Sequence, residues 1–314
     1  MKKLTVFTIV VVGMLLITAE AISRVILLRV YNRGFDSSLI IDNKYFNSAG
    51  LKSNAAGTVW GKSFSTDELG GRRNPKAASA KNKWLYIGDS VTEGVGVDDS
   101  CTFSSLSSER KKDFQLYNIS LIGYSLSDYA NVLKYYLPAD TTIKRVTLFY
   151  CLNDVYGTAK SKDLPEMVRN SFIGKANAFL QQNYATYKLL KLLVFSQSNN
   201  YFIYDLQFYE NTNPRFTEAM NQLYQCDSLC KLNGTEMYVV LLPYRSQVNG
   251  KNDPLLPQQL VQDFCNSEGI SCHDASTYLK ESKDSENLYL FADEIHLSET
   301  GHRVVAHFLQ KEGL

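Results

Sequence analysis

Four short stretches of this chain carry side chains whose types and spacing could do chemistry. Residues 88–94 read Gly-Asp-Ser-Val-Thr-Glu-Gly. Gly88 permits a tight turn, and Ser90 then stands at the mouth of a following turn or helix, where backbone N–H groups lack intrahelical partners. That is a place for a nucleophilic hydroxyl. Residues 291–298 read Phe-Ala-Asp-Glu-Ile-His-Leu-Ser. Asp293 lies three residues before His296 and can reach back to the imidazole Nδ1–H, fixing its tautomer and stabilising the imidazolium. Between these stretches, Gly123 offers an N–H that could face a ligand, and Asn153 in Cys151-Leu152-Asn153-Asp154 offers a side-chain amide. Each piece alone is common in loops. Together they supply a nucleophile, a base, a base-orienting carboxylate and donors for a developing negative charge.

Such groups need rigid elements to position them, and the pattern of residues supplies these from Lys83 onward. Residues 84–87 (Trp-Leu-Tyr-Ile) form an apolar run ending at Gly88, which predicts a buried strand. Residues 115–118, 145–150, 236–242 and 270–273 predict four more strands. Helical patterns fall at 127–137, 217–232, 257–268 and 299–310, with a long, largely helical insertion over 164–195. Strands separated by helices imply right-handed crossovers and a parallel sheet covered on both faces. In such sheets, sites form at the carboxyl ends of the strands. Ser90 follows the first strand, Gly123 the second and Asn153 the third. The insertion, about 156–215, follows Asn153 directly and should emerge near the site. Within it, Tyr201, Phe202, Ile203, Tyr204, Phe208 and Tyr209 are expected to pack as core or lid, and could wall an acyl or sugar pocket.

Taken together and in this order, the four stretches resemble the blocks of the SGNH hydrolase superfamily, the GDSL-type esterases and lipases. The resemblance covers about residues 83–314, and its most specific parts are GDSVTEG and DEIHLS. It implies an α/β fold, a three-layer α/β/α sandwich with a central parallel sheet. It further implies Ser90 as nucleophile and His296 as base, oriented by Asp293. The N–H groups of Ser90 and Gly123 and the amide of Asn153 would form the oxyanion hole. No cofactor or metal is implied. One departure is visible: the family's third block usually reads G-x-N-D, and here Cys151 replaces its glycine. Asp89 and Asp154 are expected to fix turns and loops, with no direct role in chemistry. The activity implied is hydrolysis of an O-acyl ester, O-acetyl first among them, on a cell-envelope glycan or lipid. The alternatives are an acyltransferase that delivers the acyl group to a sugar hydroxyl, and a catalytically silent envelope binding or assembly protein.

The totals bound these readings. With 314 residues, 33 Lys+Arg against 32 Asp+Glu and 45% hydrophobic residues, the chain is an ordinary globular protein with no electrostatic footprint for nucleic acid. Phosphoryl transfer is disfavoured, because there is no P-loop lysine motif and no carboxylate cluster for Mg²⁺. The first thirty residues differ in character. Residues 4–19 carry no charge, and the apolar run continues to residue 28, interrupted only by Glu20 and Arg24. As a helix, residues 4–28 would be about 37 Å long, enough for a hydrocarbon core of about 30 Å. Glu20 and Arg24 are spaced i,i+4 and could pair near one interface. The segment is expected to be an uncleaved transmembrane anchor with the body outside the cytoplasm; the alternative is a signal peptide cleaved near Ala19-Glu20-Ala21. Residues 31–82, broken by several glycines and Pro75, are expected to be a juxtamembrane lead-in packing on the catalytic domain. Cys226, Cys230, Cys265 and Cys272 would pair as disulfides in an exported domain, and zinc is disfavoured because their spacings match no C-x₂-C pair. Cys101 and Cys151 are expected to be buried, and His302 and His307 to be packing or surface residues.

Overall fold

The computed structural model describes residues 2–156, 172–194, 197–250, 255–293 and 295–314. The chain divides into two units, one drawn from Met1–Arg33 and Ser161–Gln197, the other from Gly34–Lys160 and Ser198–Leu314. In the first, a single helix runs from Lys2 to Val30, and its Lys3–Val30 portion is long and apolar enough to cross a membrane. Its two internal charges are both occupied. Glu20 pairs with Arg24 at 2.8 Å and accepts the N–H groups of Ala185 and Thr186 at 2.8 and 2.9 Å. These are the first residues of the helix Ala185–Val194, so Glu20 satisfies N–H groups that a helix start leaves orphaned. Arg24 donates to the carbonyl of Asn183, where the preceding helix Phe172–Asn183 ends. The insertion is therefore not one long helix over its described part. It breaks at Asn183, whose side chain turns back to the Phe179 carbonyl at 2.8 Å. Residues 157–171 of the insertion lie outside the described residues.

In the second unit, the lead-in holds strands that its composition does not announce. Two short antiparallel hairpins form, β1 (Ile40–Tyr45) with β2 (Ser48–Leu51) and β3 (Ala56–Val59) with β4 (Lys62–Ser65). Beyond them Arg72 bridges to Asn118, with its N–H on the Asn118 carbonyl at 2.8 Å, so the lead-in is stitched to the central sheet.

That sheet has five parallel strands: β5 (Asn82–Ile87), β6 (Phe114–Asn118), β7 (Ile143–Tyr150), β8 (Glu236–Leu241) and β9 (Ser271–Asp274). They lie in the order β6-β5-β7-β8-β9. Alternation along the strands assigns the two faces. Leu85, Ile87, Val146, Leu148, Val239 and Leu241 pack with residues of the helices Leu126–Tyr136, Pro214–Leu232 and Leu256–Glu268. Trp84, Tyr86, Phe149, Val240 and Leu242 pack with Phe103 and with the terminal helix Glu299–Lys311. The result is a three-layer α/β/α sandwich. Burial on both faces explains the near-continuous apolar runs of these strands. The one polar atom of Trp84 is satisfied by Thr147 Oγ1 at 2.9 Å. Counted among themselves, the parallel strands are ordered 2-1-3-4-5, so the direction of growth reverses between β5 and β7. In open α/β sheets such a reversal is where ligands bind, outside the carboxyl ends of the strands.

Two cysteine expectations are corrected. All six cysteines are free thiols, and Cys226, Cys230 and Cys265 are buried as apolar core residues. Cys101 is only partly covered, because it sits in the 3₁₀ turn Asp99–Cys101. Of the aromatic stretch, Phe202 and Tyr209 enter the core while Tyr201 and Ile203 stay exposed.

Candidate active site

Ser90 opens a single helical turn, Ser90–Glu93, immediately after β5. The turn is shaped by its neighbours. A side chain at position 88 would meet the Thr92 hydroxyl at 2.2 Å, so only glycine fits. Asp89 caps the turn, its Oδ1 accepting the Val91 N–H at 2.9 Å. Gly94 closes it in the left-handed region, at φ 79°. Arg72, almost wholly buried, then collects carbonyls left without helical partners. It donates to Glu93 O at 2.9 Å, to Gly94 O and to Val97 O at 2.6 Å, and it pairs with Asp99 at 3.0 Å. The Ser90 turn is thus held from beneath by a residue of the lead-in.

Asp293 and His296 sit in a loop closed by the Leu290 N–H on the His296 carbonyl at 2.9 Å. Ser90 Oγ lies 2.8 Å from His296 Nε2, and His296 Nδ1 lies 2.8 Å from Asp293 Oδ2. The other Asp293 oxygen accepts the N–H groups of Ile295 and His296, each at 2.9 Å, so the carboxylate is fixed at both ends. A carboxylate on Nδ1 keeps the proton there and leaves Nε2 as the acceptor that faces Ser90. The line can move a proton from Oγ to the imidazole. Trp60, in the turn between β3 and β4, stacks edge-on against His296 with ring centroids 4.5 Å apart. Nothing local in the sequence marks Trp60 for this place; the hairpin that carries it comes from a segment without periodicity.

Asn153 lies in the 3₁₀ turn Leu152–Tyr156 after β7. Its Nδ2 donates to Asp89 Oδ2 at 3.1 Å, which ties it to the residue before Ser90. Asp89 therefore does more than fix its own turn. The Cys151 departure is accommodated. Cys151 is not among the residues with positive φ, so its backbone does not need glycine, and its side chain joins the core. The turn closes through the Cys151 N–H on Asp154 Oδ2 at 2.9 Å, with the Tyr129 hydroxyl on Asp154 Oδ1. Gly123 occupies an exposed turn after β6 at φ 83°, with open space where a side chain would begin. The preceding Ile122 N–H donates to Glu93 Oε2 at 2.8 Å, which ties this turn also to the helical turn Ser90–Glu93. Burial pushes the Glu93 carboxyl up to about 8, with Arg72 pulling the other way. Ser90, His296 and Asp293 are thus brought into one hydrogen-bonded line, with Asn153 and the Gly123 turn each linked to residues flanking Ser90.

His302 stands apart from this line. It is fully buried, accepts the Phe103 N–H on Nδ1 at 3.1 Å, and burial drives it down to about 3, so it is a neutral packing residue. His307 is exposed. Among the described residues no group of three His, Cys, Asp or Glu side chains could hold a metal ion.

No family model and no curated protein matches the chain. Solved structures do. A member of the lipolytic protein G-D-S-L family from Veillonella parvula DSM 2008 is 14% identical, with 73% of this chain and 96% of that one covered and a TM-score of 0.46. LAE5, an alpha/beta hydrolase enzyme from the metagenome of Lake Arreo, is 16% identical over 75% of this chain and 96% of that one, at a TM-score of 0.46. Axe2, an acetylxylan esterase from Geobacillus stearothermophilus, is 14% identical over 76% and 97%, at 0.44. At such identities the chemistry has to come from the residues of this chain.

Proposed function

We propose that the chain is a serine esterase of SGNH type that hydrolyses an O-acyl ester, O-acetyl first among them, on a glycan or lipid of the cell envelope. The observation that supports this is the line from Ser90 Oγ through His296 to Asp293, with both contacts at 2.8 Å. As Oγ attacks the ester carbonyl, Nε2 takes its proton and Asp293 stabilises the imidazolium. The oxyanion is met by the N–H groups of Ser90 and Gly123 and by Asn153 Nδ2. Collapse passes the proton from His296 to the leaving alkoxide and leaves an acyl ester on Ser90. Water, giving its proton to Nε2, then attacks that ester and releases the carboxylic acid, and the proton returns to Oγ. Activity falls on acidification, because a protonated imidazole cannot serve as base. In this reading the apolar helix Lys2–Val30 stays in the chain as a single-pass anchor, residues 31–82 lead in from it, and residues 83–314 carry the chemistry outside the cytoplasm.

A fluorophosphonate probe tests the assignment: it should label one serine per chain, Ser90, and abolish hydrolysis of 4-nitrophenyl acetate in step. Turnover that survives complete labelling, or a label on another residue, would sink it. Replacing Asn153 by Ala should lower kcat by about 10²–10³-fold, the usual cost of one oxyanion donor, with KM little changed. A loss confined to KM would place Asn153 in ground-state binding instead.

A further inference from the structure

The Asn153 amide has two ends, and both are held. Asp89 takes its Nδ2; its Oδ1 faces the Tyr244 hydroxyl at 3.4 Å. Tyr244 is buried, lying just past β8 at the start of the short helix Arg245–Asn249. Its hydroxyl is 2.5 Å from Asp205 Oδ2, on the helix Gln197–Leu206. Asp205 is 1% exposed, and its Oδ1 has no partner among the described residues. A phenol carries one proton and cannot donate to both neighbours. With a proton on Asp205 Oδ2, the carboxyl donates to the Tyr244 oxygen, and the phenol proton is free to point at Asn153 Oδ1. With Asp205 ionised, the phenol proton is drawn to the carboxylate, and Asn153 Oδ1 faces a lone pair.

We infer that Tyr244 and Asp205 are positioning residues for the Asn153 amide, and that the proton on Asp205 decides whether Tyr244 donates to it. This rests on the esterase reading of the site. Burial pushes the Asp205 carboxyl up to about 7, against the opposing hydrogen bond from Tyr244, so the switch falls near neutrality. The titratable groups facing the pair are the phenols of Tyr150 and Tyr209, which bond to each other at 2.7 Å, the Cys151 thiol and Asp89. These are neutral or anionic and do not hold Asp205 in its charged form. The sign follows. Below neutrality Asp205 keeps its proton and Asn153 is held for the oxyanion. Above it the proton leaves, Tyr244 turns away and Asn153 loosens.

The test is the kcat–pH profile of the detergent-solubilised full chain on 4-nitrophenyl acetate, corrected for spontaneous hydrolysis. The wild type should lose about tenfold in kcat between about pH 7 and 9, the worth of one neutral hydrogen bond. Asp205→Asn cannot ionise and should remove this alkaline limb. Tyr244→Phe should also remove it, with kcat about tenfold lower throughout and KM unchanged. A wild-type kcat that stays flat above neutrality overturns the inference and needs no variant to fold. So does an alkaline limb that persists in Asp205→Asn, or a Tyr244→Phe effect that falls on KM. Fluorophosphonate labelling of the same preparation separates the failures. A labelled Ser90 with a flat profile removes the positioning pair alone, whereas an unlabelled Ser90 removes the esterase reading and the pair with it.

Discussion

Ser90→Ala lowers kcat on a small aryl acetate by about 10⁶-fold, the scale on which loss of a serine nucleophile is felt. The substitution removes one oxygen, and nothing else in the turn depends on that atom. The cap from Asp89, the Gly94 closure and the four contacts of Arg72 are all to other groups. His296 loses its partner on Nε2 but keeps Asp293 on Nδ1. The stability change should therefore stay within about 1 kcal/mol, the net worth of a single hydrogen bond. Measured together, kcat falls and the unfolding midpoint holds. Substantial turnover in a folded Ser90→Ala protein would show that the hydroxyl is not the nucleophile.

The largest effect on stability is expected at Arg72. Arg72→Met keeps an unbranched apolar side chain but removes the guanidinium, whose carbon lies 4.8 Å from the centroid of the Phe64 ring. The carbonyls of Glu93, Gly94 and Val97 lose the Arg72 donor, and Asp99 loses its ion-pair partner while keeping its contacts from Ser65. Breaking a buried pair in this one-sided way costs about 3–5 kcal/mol, a large part of the 5–15 kcal/mol that holds a typical domain. Urea unfolding should show a lower midpoint with an unchanged slope. Lys76→Ala, which breaks an exposed pair with Glu109, is the contrast and should move the midpoint by no more than about 1 kcal/mol allows. Equal effects of the two substitutions would mean that Arg72 does not hold the turn.

The central sheet was legible because burial on both faces writes itself as apolar runs: Trp84 to Ile87 and Phe149 to Tyr150 are all buried. Turn chemistry placed the strand ends, since Gly88 and Pro243 interrupt the runs they follow. The hairpins of residues 40–65 were not legible. Their strands are short, and stretches such as Ile-Ile-Asp-Asn-Lys-Tyr are exposed or half-buried up to their last residue, so they show no alternation. The arginine under the Ser90 turn could not be picked from the other cations, because three of its partners are backbone carbonyls, which every residue has. Tyr244 and Asp205 were hidden differently. They reach Asn153 from two other parts of the chain, and only the fold brings them together. The cysteine pairing was expected from an exported compartment alone, and the thiols are free: a buried thiol is also a small apolar side chain, and Cys226, Cys230 and Cys265 serve as that.

The place of Arg72 bears on how this protein can be divided. A fragment that began at Lys83, where strand and helix first alternate, would contain the serine, the histidine and all three oxyanion candidates, and would still lack the guanidinium that ties down the loop behind the serine. It would lack Trp60 as well, and with it the ring against His296. Transplanting the Gly88–Gly94 segment into another scaffold would meet the same difficulty. The smallest transferable piece is a pair of segments distant in sequence, the hairpin region with its arginine and the strand with its serine, which have to be moved as one.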